Sequence, residues 1–130
     1  MTNILMCAFI FVILLGGYML KVSIEHNCEG LLELHAKGHC NYASYGKDIV
    51  CAGVSSVIIG LVTALETKPC ANVDLSNGYA YVVCKPTLLS YAYFKFVYET
   101  LKIIEAEYKD NIQVNCTVKF PDLSKMEEIL

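Results

Sequence analysis

The fold of this chain depends most on the stretch DIVCAGVSSVIIGLVTALE, which runs from Asp48 to Glu66. Nearly every residue after Asp48 is apolar or small, and the run is too long for one strand. Aspartate is a favoured N-cap residue, because its carboxylate accepts hydrogen bonds from amides of the first helical turn. The stretch therefore predicts a buried helix that begins just after Asp48 and ends before Lys68-Pro69.

Segments typical of strands lie on both sides of this helix. Before it, Leu20–His26 and Leu31–Lys37 alternate apolar and polar residues around a short turn, which predicts a hairpin. After it, residues 70–75 and 79–84 flank the turn Ser76-Asn77-Gly78, which predicts a second hairpin. The sheet is therefore expected to be mostly antiparallel.

The C-terminal part adds a helix and a strand. Pro86 precedes a segment with apolar residues at near-helical spacing, which predicts a second helix over residues 87–108. Residues 112–118 alternate as a last strand. Five strands and two helices indicate an α+β fold, in which a small, mostly antiparallel sheet packs against helices.

An apolar leader precedes this domain. Residues 1–18 carry no charge, and Ile4–Leu20 is at the short limit of a membrane span. A signal peptide requires positive charge before the apolar run, and none is present. Because Met19 opens the first strand, we interpret residues 1–18 as a translation start placed too far upstream, with a membrane anchor or a signal peptide as alternatives. The expected organisation is a leader at 1–18, a domain at 19–120 and a charged tail at 121–130.

The composition of the 130-residue chain limits its function. Hydrophobic residues make up 55%, which excludes disorder, and a net charge of −3 without a basic run argues against direct nucleic-acid binding. The seven cysteines include no C-x-x-C pair, so neither a zinc knuckle nor a thioredoxin-like motif is predicted. We expect no metal, no cofactor, and a reducing cytoplasm in which most of the thiols are small apolar groups.

Cys51 is the candidate nucleophile. If Asp48 is the N-cap, Cys51 lies in the first helical turn, where unpaired amides and the positive end of the helix dipole favour the thiolate. His39 lies on the loop leading back to this end of the helix, where its imidazole can serve as the base. Ser55 follows one turn later on the same face. The first-turn amides also offer donors to an oxyanion.

Two roles near this pair stay open on the sequence alone. Asp48 either caps the helix or orients His39, and the two roles can coexist. Tyr42 and Tyr45, on the intervening loop, either pack on substrate side chains or anchor the loop to the core.

This part of the chain resembles a family signature. Gly38-His39, the run YGKDIVCA at 45–52 and Val54-Ser55 look like the motif G-H-A…G-x-D-I-V-C-A-A-V-S of the Prp family of ribosomal-processing cysteine proteases. The resemblance extends over residues 19–118. Cys40 departs from the pattern, because the family has a small Ala after the His, and it brings a second thiol near the site.

The resemblance implies an activity and a set of roles. Proteins of this family are small α+β homodimers of Firmicutes-type bacteria. They remove the N-terminal extension of a large-subunit ribosomal protein that reaches towards the peptidyl-transferase centre. The family's nucleophile falls on Cys51 and its base on His39. Asp48 and Ser55 fall on motif positions with supporting roles. Gly38 and Gly46 fall at the two ends of a loop that is mobile in the family.

Three other interpretations are compatible with the sequence. In the first, the chain is a non-catalytic, ribosome-associated binding module of the same fold. In the second, it is a membrane-anchored version of the domain. The third is a metal site at His35, His39 and Cys40, although their spacing matches no strong ligand pattern.

Overall fold

The computed structural model describes residues 19–44, 46–65 and 71–124. Two helices and five strands follow one another within these ranges, with a 3-10 turn at Leu75–Asn77. In chain order they are β1 (Leu20–His26), β2 (Leu32–Lys37), α1 (Ile49–Leu65), β3 (Ala71–Asp74), β4 (Tyr79–Cys84), α2 (Leu88–Glu107) and β5 (Ile112–Cys116). The predicted α+β fold is confirmed.

The five strands form one sheet in the order β3-β4-β2-β1-β5. All neighbours are antiparallel except β1 and β5, which are parallel, with Val22 opposite Val114. The two hairpins predicted from the sequence are therefore joined through β2 and β4. This pairing brings the β3–β4 turn next to the end of β2, although about forty residues of chain separate them.

The core lies between the helices and one face of the sheet. Alternate strand residues point to it, and on α1 the buried positions Val50, Val54, Ile58 and Leu61 follow helical spacing. On α2, Phe94 is fully buried and belongs to the same core. Burying a side chain of this size contributes about 1.5–3 kcal/mol to folding.

Some boundaries differ from the sequence expectation by one or two residues. The helix α2 begins at Leu88, because Thr87 is its N-cap: the Thr87 hydroxyl accepts the amide of Ser90 at 3.1 Å, and the Ser90 hydroxyl accepts that of Thr87 at 2.7 Å. The strand β5 ends at Cys116 rather than at Val118.

Several predicted features lie outside the described residues. They are the apolar leader 1–18, the loop residue Tyr45 and residues 125–130 of the tail. Within the part of the chain that the structure describes, no helix is long and apolar enough to cross a membrane.

Candidate active site

The start of α1 is fixed by Asp48. Its Oδ1 accepts the main-chain amide of Cys51 at 2.9 Å, and its carbonyl oxygen accepts that of Ala52 at 3.0 Å. Asp48 is therefore the N-cap, and Cys51 lies half-buried in the first turn of the helix. Since the Cys51 amide already donates to Asp48, an oxyanion at this site has to use other donors or displace that contact.

The same carboxylate also holds the loop between β2 and α1. Oδ2 of Asp48 accepts the amide of Tyr42 at 3.0 Å and that of Ala43 at 3.4 Å. All of these partners are main-chain groups, and within the described residues the carboxylate makes no hydrogen bond to His39. The geometry thus gives Asp48 the capping role and a loop-anchoring role.

His39 lies just after β2, against the turn between β3 and β4. The amide of Gly38 donates to the carbonyl oxygen of Gly78 at 2.9 Å, which extends the β2–β4 pairing by one step. Gly78 comes so close to the imidazole that a Cβ atom built on it lies 2.6 Å from Nε2 of His39. Among the described residues the ring has no hydrogen-bond partner.

Cys51 and His39 open into one cavity of about 670 Å³ at the start of α1. Asp48, Ser55 and Gly46 line the same cavity, so five of the predicted site residues are brought together. The other residues that line it are Cys40, Asn41, Ala43, Ala52 and Leu75. No hydrogen bond joins the thiol and the imidazole in the described structure, and such pairs often tighten only when substrate binds.

Cys40 lies close to the candidate nucleophile Cys51. It is fully buried and faces the cavity that Cys51 lines, and the two thiols are not joined by a disulfide. Burial raises the pKa of the Cys40 thiol to about 12, and the neighbouring charges of Cys51 and Asp48 contribute in the same direction. Cys40 therefore remains a neutral thiol at physiological pH and does not compete as a nucleophile.

The loop that carries His39 and Cys40 is tied to the end of α2. Nδ2 of Asn111 donates to the carbonyl oxygen of Cys40 at 2.8 Å. The ring of Tyr42 packs edge-on against that of Tyr108, with centroids 5.2 Å apart. This contact corresponds to the anchoring role considered for Tyr42.

Gly38 and Gly46 differ in their surroundings. A Cβ atom on Gly38 would lie 2.6 Å from the main-chain oxygen of Met19, so the close approach of β1 requires a glycine there. Within the described part of the chain, no atom lies within 4 Å of a Cβ position on Gly46, which is exposed and lines the cavity.

The third sequence interpretation, a metal site at His35, His39 and Cys40, does not match the geometry. His35 points to the sheet face opposite the helices, where its Nε2 lies 2.6 Å from Oε1 of Glu33 and its ring packs against Tyr81. Cys40 lies in the core on the other side. Within the described ranges no three potential ligands are grouped for a metal ion.

Sequence reasoning missed three residues that surround the site. Gly78 and Leu75 belong to the β3–β4 turn, and Asn111 to the turn between α2 and β5. The turn at Gly78 was visible as a hairpin signal, but nothing local connects it with His39, which lies 39 residues earlier in the chain.

Comparison with known proteins shows which family this chain resembles. The sequence model of the family described as Cysteine protease Prp matches residues 19–113. The Ribosomal processing cysteine protease Prp of Bacillus subtilis is 31% identical over 111 residues, which cover 77% of this chain and 99% of the relative. The protein of the same name from Staphylococcus aureus is 34% identical over 104 residues, which cover 75% of this chain and 98% of the relative.

Solved structures agree with these relatives. A crystal structure of an essential ribosomal processing protease Prp from Staphylococcus aureus, in complex with a covalently linked product peptide, matches with a TM-score of 0.65 and 32% identity. The match covers 76% of this chain and all of that one. A second crystal structure of that protease, with a substrate peptide, gives a TM-score of 0.60. A protein from Streptococcus mutans, at 23% identity and a TM-score of 0.54, shares the fold.

Proposed function

The chain belongs to the Prp family of cysteine proteases, and on that premise we propose that it removes the N-terminal extension of a large-subunit bacterial ribosomal protein. The observation that carries the proposal is the shared cavity of Cys51 and His39 at the start of α1. The relatives are named for ribosomal processing, and two neighbouring structures hold substrate or product peptides. Removal of the extension supports assembly of the ribosome.

The proposed reaction is nucleophilic hydrolysis of one peptide bond. His39 accepts the proton of the Cys51 thiol, and the sulfur attacks the scissile carbonyl carbon to form a C–S bond. The C–N bond then breaks as His39 passes that proton to the departing amine. A water molecule then attacks the acyl-enzyme while His39 accepts its proton. The C–S bond breaks, the cleaved peptide leaves as a carboxylate, and Cys51 is regenerated.

The supporting residues have separate roles in this proposal. Asp48 holds the first turn of α1 and the loop at residues 42–43 in a fixed relationship through one carboxylate. Ser55 offers a hydroxyl to the same cavity one turn after the nucleophile. Gly46 gives the distal end of the loop freedom to move over a bound peptide. Tyr45, also assigned to the loop, lies outside the described residues.

A homodimer forms part of the proposal. Phe96 and Ile103, two turns apart on one face of α2, are 70% and 69% exposed, and Ile59 on α1 is 51% exposed. Apolar side chains of this size on neighbouring helices are typical of a surface that a second copy covers. Sedimentation of the wild type should give twice the mass of the chain. Phe96→Asp should reduce this mass to that of the monomer, whereas Lys95→Asp, at the neighbouring exposed position, should leave the dimer mass unchanged.

We place the protein in the cytoplasm, where ribosomal proteins are made and assembled. The proposed protease domain is 19–120, and residues 1–18 decide whether the native protein is also attached to a membrane. N-terminal sequencing of the protein from its host, together with fractionation, tests this. A native N-terminus at Met19 would support the proposed soluble form. A native protein that retains residues 1–18 and is found in the membrane fraction would contradict that form.

Intact mass spectrometry tests the proposed activity. The full chain is mixed with the host's ribosomal protein carrying its N-terminal extension, beside Cys51→Ala and the matched variant Cys28→Ala, which changes an exposed cysteine. We expect one cut near the substrate N-terminus that Cys51→Ala abolishes and Cys28→Ala leaves intact. No cut by a folded wild-type protein would favour the non-catalytic binding module instead.

A further inference from the structure

Among the residues that the structure describes, the His39 ring lacks the orienting partner that a thiol–imidazole–carboxylate triad provides. The nearest candidate in sequence, Asp48, has its oxygens on the main-chain amides of Cys51, Tyr42 and Ala43. No other described residue hydrogen-bonds the imidazole. An exposed histidine without a partner samples several rotamers, and an ill-placed base costs rate.

Close packing against Gly78 restricts the ring instead. A Cβ atom on Gly78 would lie 2.6 Å from Nε2 and 2.9 Å from Cε1 of His39, so the bare Cα lies against that edge of the imidazole. The same Cβ would lie 2.9 Å from the carbonyl oxygen of Gly38, a main-chain atom of the residue whose amide donates to Gly78. Since that oxygen yields little, an added methyl group has to push the ring away or displace the turn.

The turn that carries Gly78 is itself held in place. The amide of Gly38 donates to the Gly78 carbonyl at 2.9 Å, and the Gly78 amide donates to the Leu75 carbonyl at 3.0 Å. Gly78 is buried and adopts a left-handed backbone, with φ at 71°. The β3–β4 turn therefore offers a rigid surface, beside the cavity that Leu75 also lines.

We propose that Gly78 is a positioning residue, which holds the His39 imidazole towards Cys51 by contact in place of a carboxylate. This inference rests on the proposed function, because it takes His39 as the partner of the Cys51 thiol. A substitution at Gly78 then acts on Cys51 only through His39. If Gly78 were only structural, its substitution would change the reactivity of Cys51 equally with and without the His39 side chain.

The test measures alkylation of Cys51 by iodoacetamide in the full chain, as a rate across pH 5 to 9 read by peptide mass. The variants are Gly78→Ala, His39→Ala and the double variant. Gly30→Ala is the matched control, because Gly30 also has a left-handed backbone, with φ at 81°, but no described residue places an atom within 4 Å of its Cβ position. Thermal melting of each variant verifies the fold.

We expect Gly78→Ala to shift the pH profile to that of His39→Ala, and to lower turnover of the ribosomal substrate about tenfold or more at nearly unchanged KM. In the His39→Ala background, Gly78→Ala should change nothing further, and Gly30→Ala should keep the wild-type profile. Should Gly78→Ala fail to fold, Gly78→Asn carries the same Cβ and tolerates a left-handed backbone better.

Two results separate this inference from the proposed function. If Gly78→Ala slows alkylation by the same factor with and without His39, or leaves the wild-type profile intact, the positioning role is wrong while the thiol–imidazole pair stands. If His39→Ala itself leaves the pH profile unchanged, the thiol–imidazole mechanism is wrong and the positioning role fails with it.

Discussion

Oδ1 of Asp48 accepts the main-chain amide of Cys51 at 2.9 Å. The other oxygen of this carboxylate accepts two amides of the preceding loop. One side chain therefore fixes both the helical turn that presents the thiol and the loop that leads from the imidazole. In the proposed mechanism, Asp48 therefore acts through main-chain groups and not through the thiol or the imidazole.

The two functions of Asp48 can be separated by substitution. In Asp48→Asn the amide oxygen can still accept the Cys51 N–H, but the NH₂ group cannot accept the amides of Tyr42 and Ala43. We expect Asp48→Ala to lower the free energy of unfolding by about 1 kcal/mol through loss of the cap, and Asp48→Asn to retain most of that stability. Denaturant unfolding measures both values.

Cleavage assays complete this comparison. Both variants should cleave more slowly than the wild type, because both release the loop. If Asp48→Asn lost as much stability as Asp48→Ala, the cap would not depend on the side-chain oxygen that asparagine retains. Wild-type turnover in Asp48→Asn would contradict the loop-anchoring role.

Asn111 should anchor the loop from the opposite side. Asn111→Ala removes the hydrogen bond to the Cys40 carbonyl, which contributes about 1 kcal/mol to the free energy of unfolding. The loss of this bond also frees the segment after His39. We expect a lower melting temperature and a higher KM for the ribosomal substrate. Asn115→Ala, at an exposed position on β5, is the control and should behave as the wild type. An unchanged KM in Asn111→Ala would show that the loop is held without this contact.

Cys40 should make the protein sensitive to alkali. Its pKa is raised from about 9 to about 12 in the folded protein, so above pH 9 the unfolded chain loses this proton first. The contribution to stability is therefore complete below pH 9 and is lost as the pH rises to about 12. Denaturant unfolding at pH 8 to 11 should show a shallower decline for Cys40→Ala than for the wild type. Cys28→Ala, at an exposed thiol, should follow the wild type; parallel curves for Cys40→Ala would contradict the burial effect.

Glu105 should make β5 sensitive to acid. Burial alone would raise the pKa of this carboxyl, but hydrogen bonds from Lys102 and from the Val114 amide outweigh it and lower the pKa below its ordinary value. The ionised form is favoured in the folded state, so its contribution is present at neutral pH and is lost as the pH falls through the lowered pKa.

The matched variant is Glu105→Gln, which keeps the size of the side chain and removes its charge. Its melting temperature should be lower than that of the wild type at pH 7, and the two should converge towards pH 3. Glu107→Gln, exposed on the same helix, is the control. A constant difference between Glu105→Gln and the wild type across this range would show that ionisation of Glu105 is not what stabilises β5.

Local patterns in the sequence determined the elements and the place of the candidate nucleophile Cys51. Alternation predicted the strands, the long apolar run predicted α1, and Asp48 at its start placed Cys51 in the first turn. These inferences succeed because hydrogen bonds in a helix, a cap or a hairpin join residues a few positions apart. The predicted pairing of His39 with Cys51 came from their separation of only twelve positions in the sequence and from the family motif.

Contacts between distant segments were decided only by the tertiary structure. The order β3-β4-β2 brings Gly78 to His39, and the pairing of β5 beside β1 brings Asn111 to Cys40. The same packing buries Cys40 beside the cavity that Cys51 lines, and it leaves Asp48 with amide partners rather than the imidazole. Such contacts depend on how the whole sheet is assembled, because the burial of one common core determines which turns meet, and no local spacing in the sequence encodes that choice.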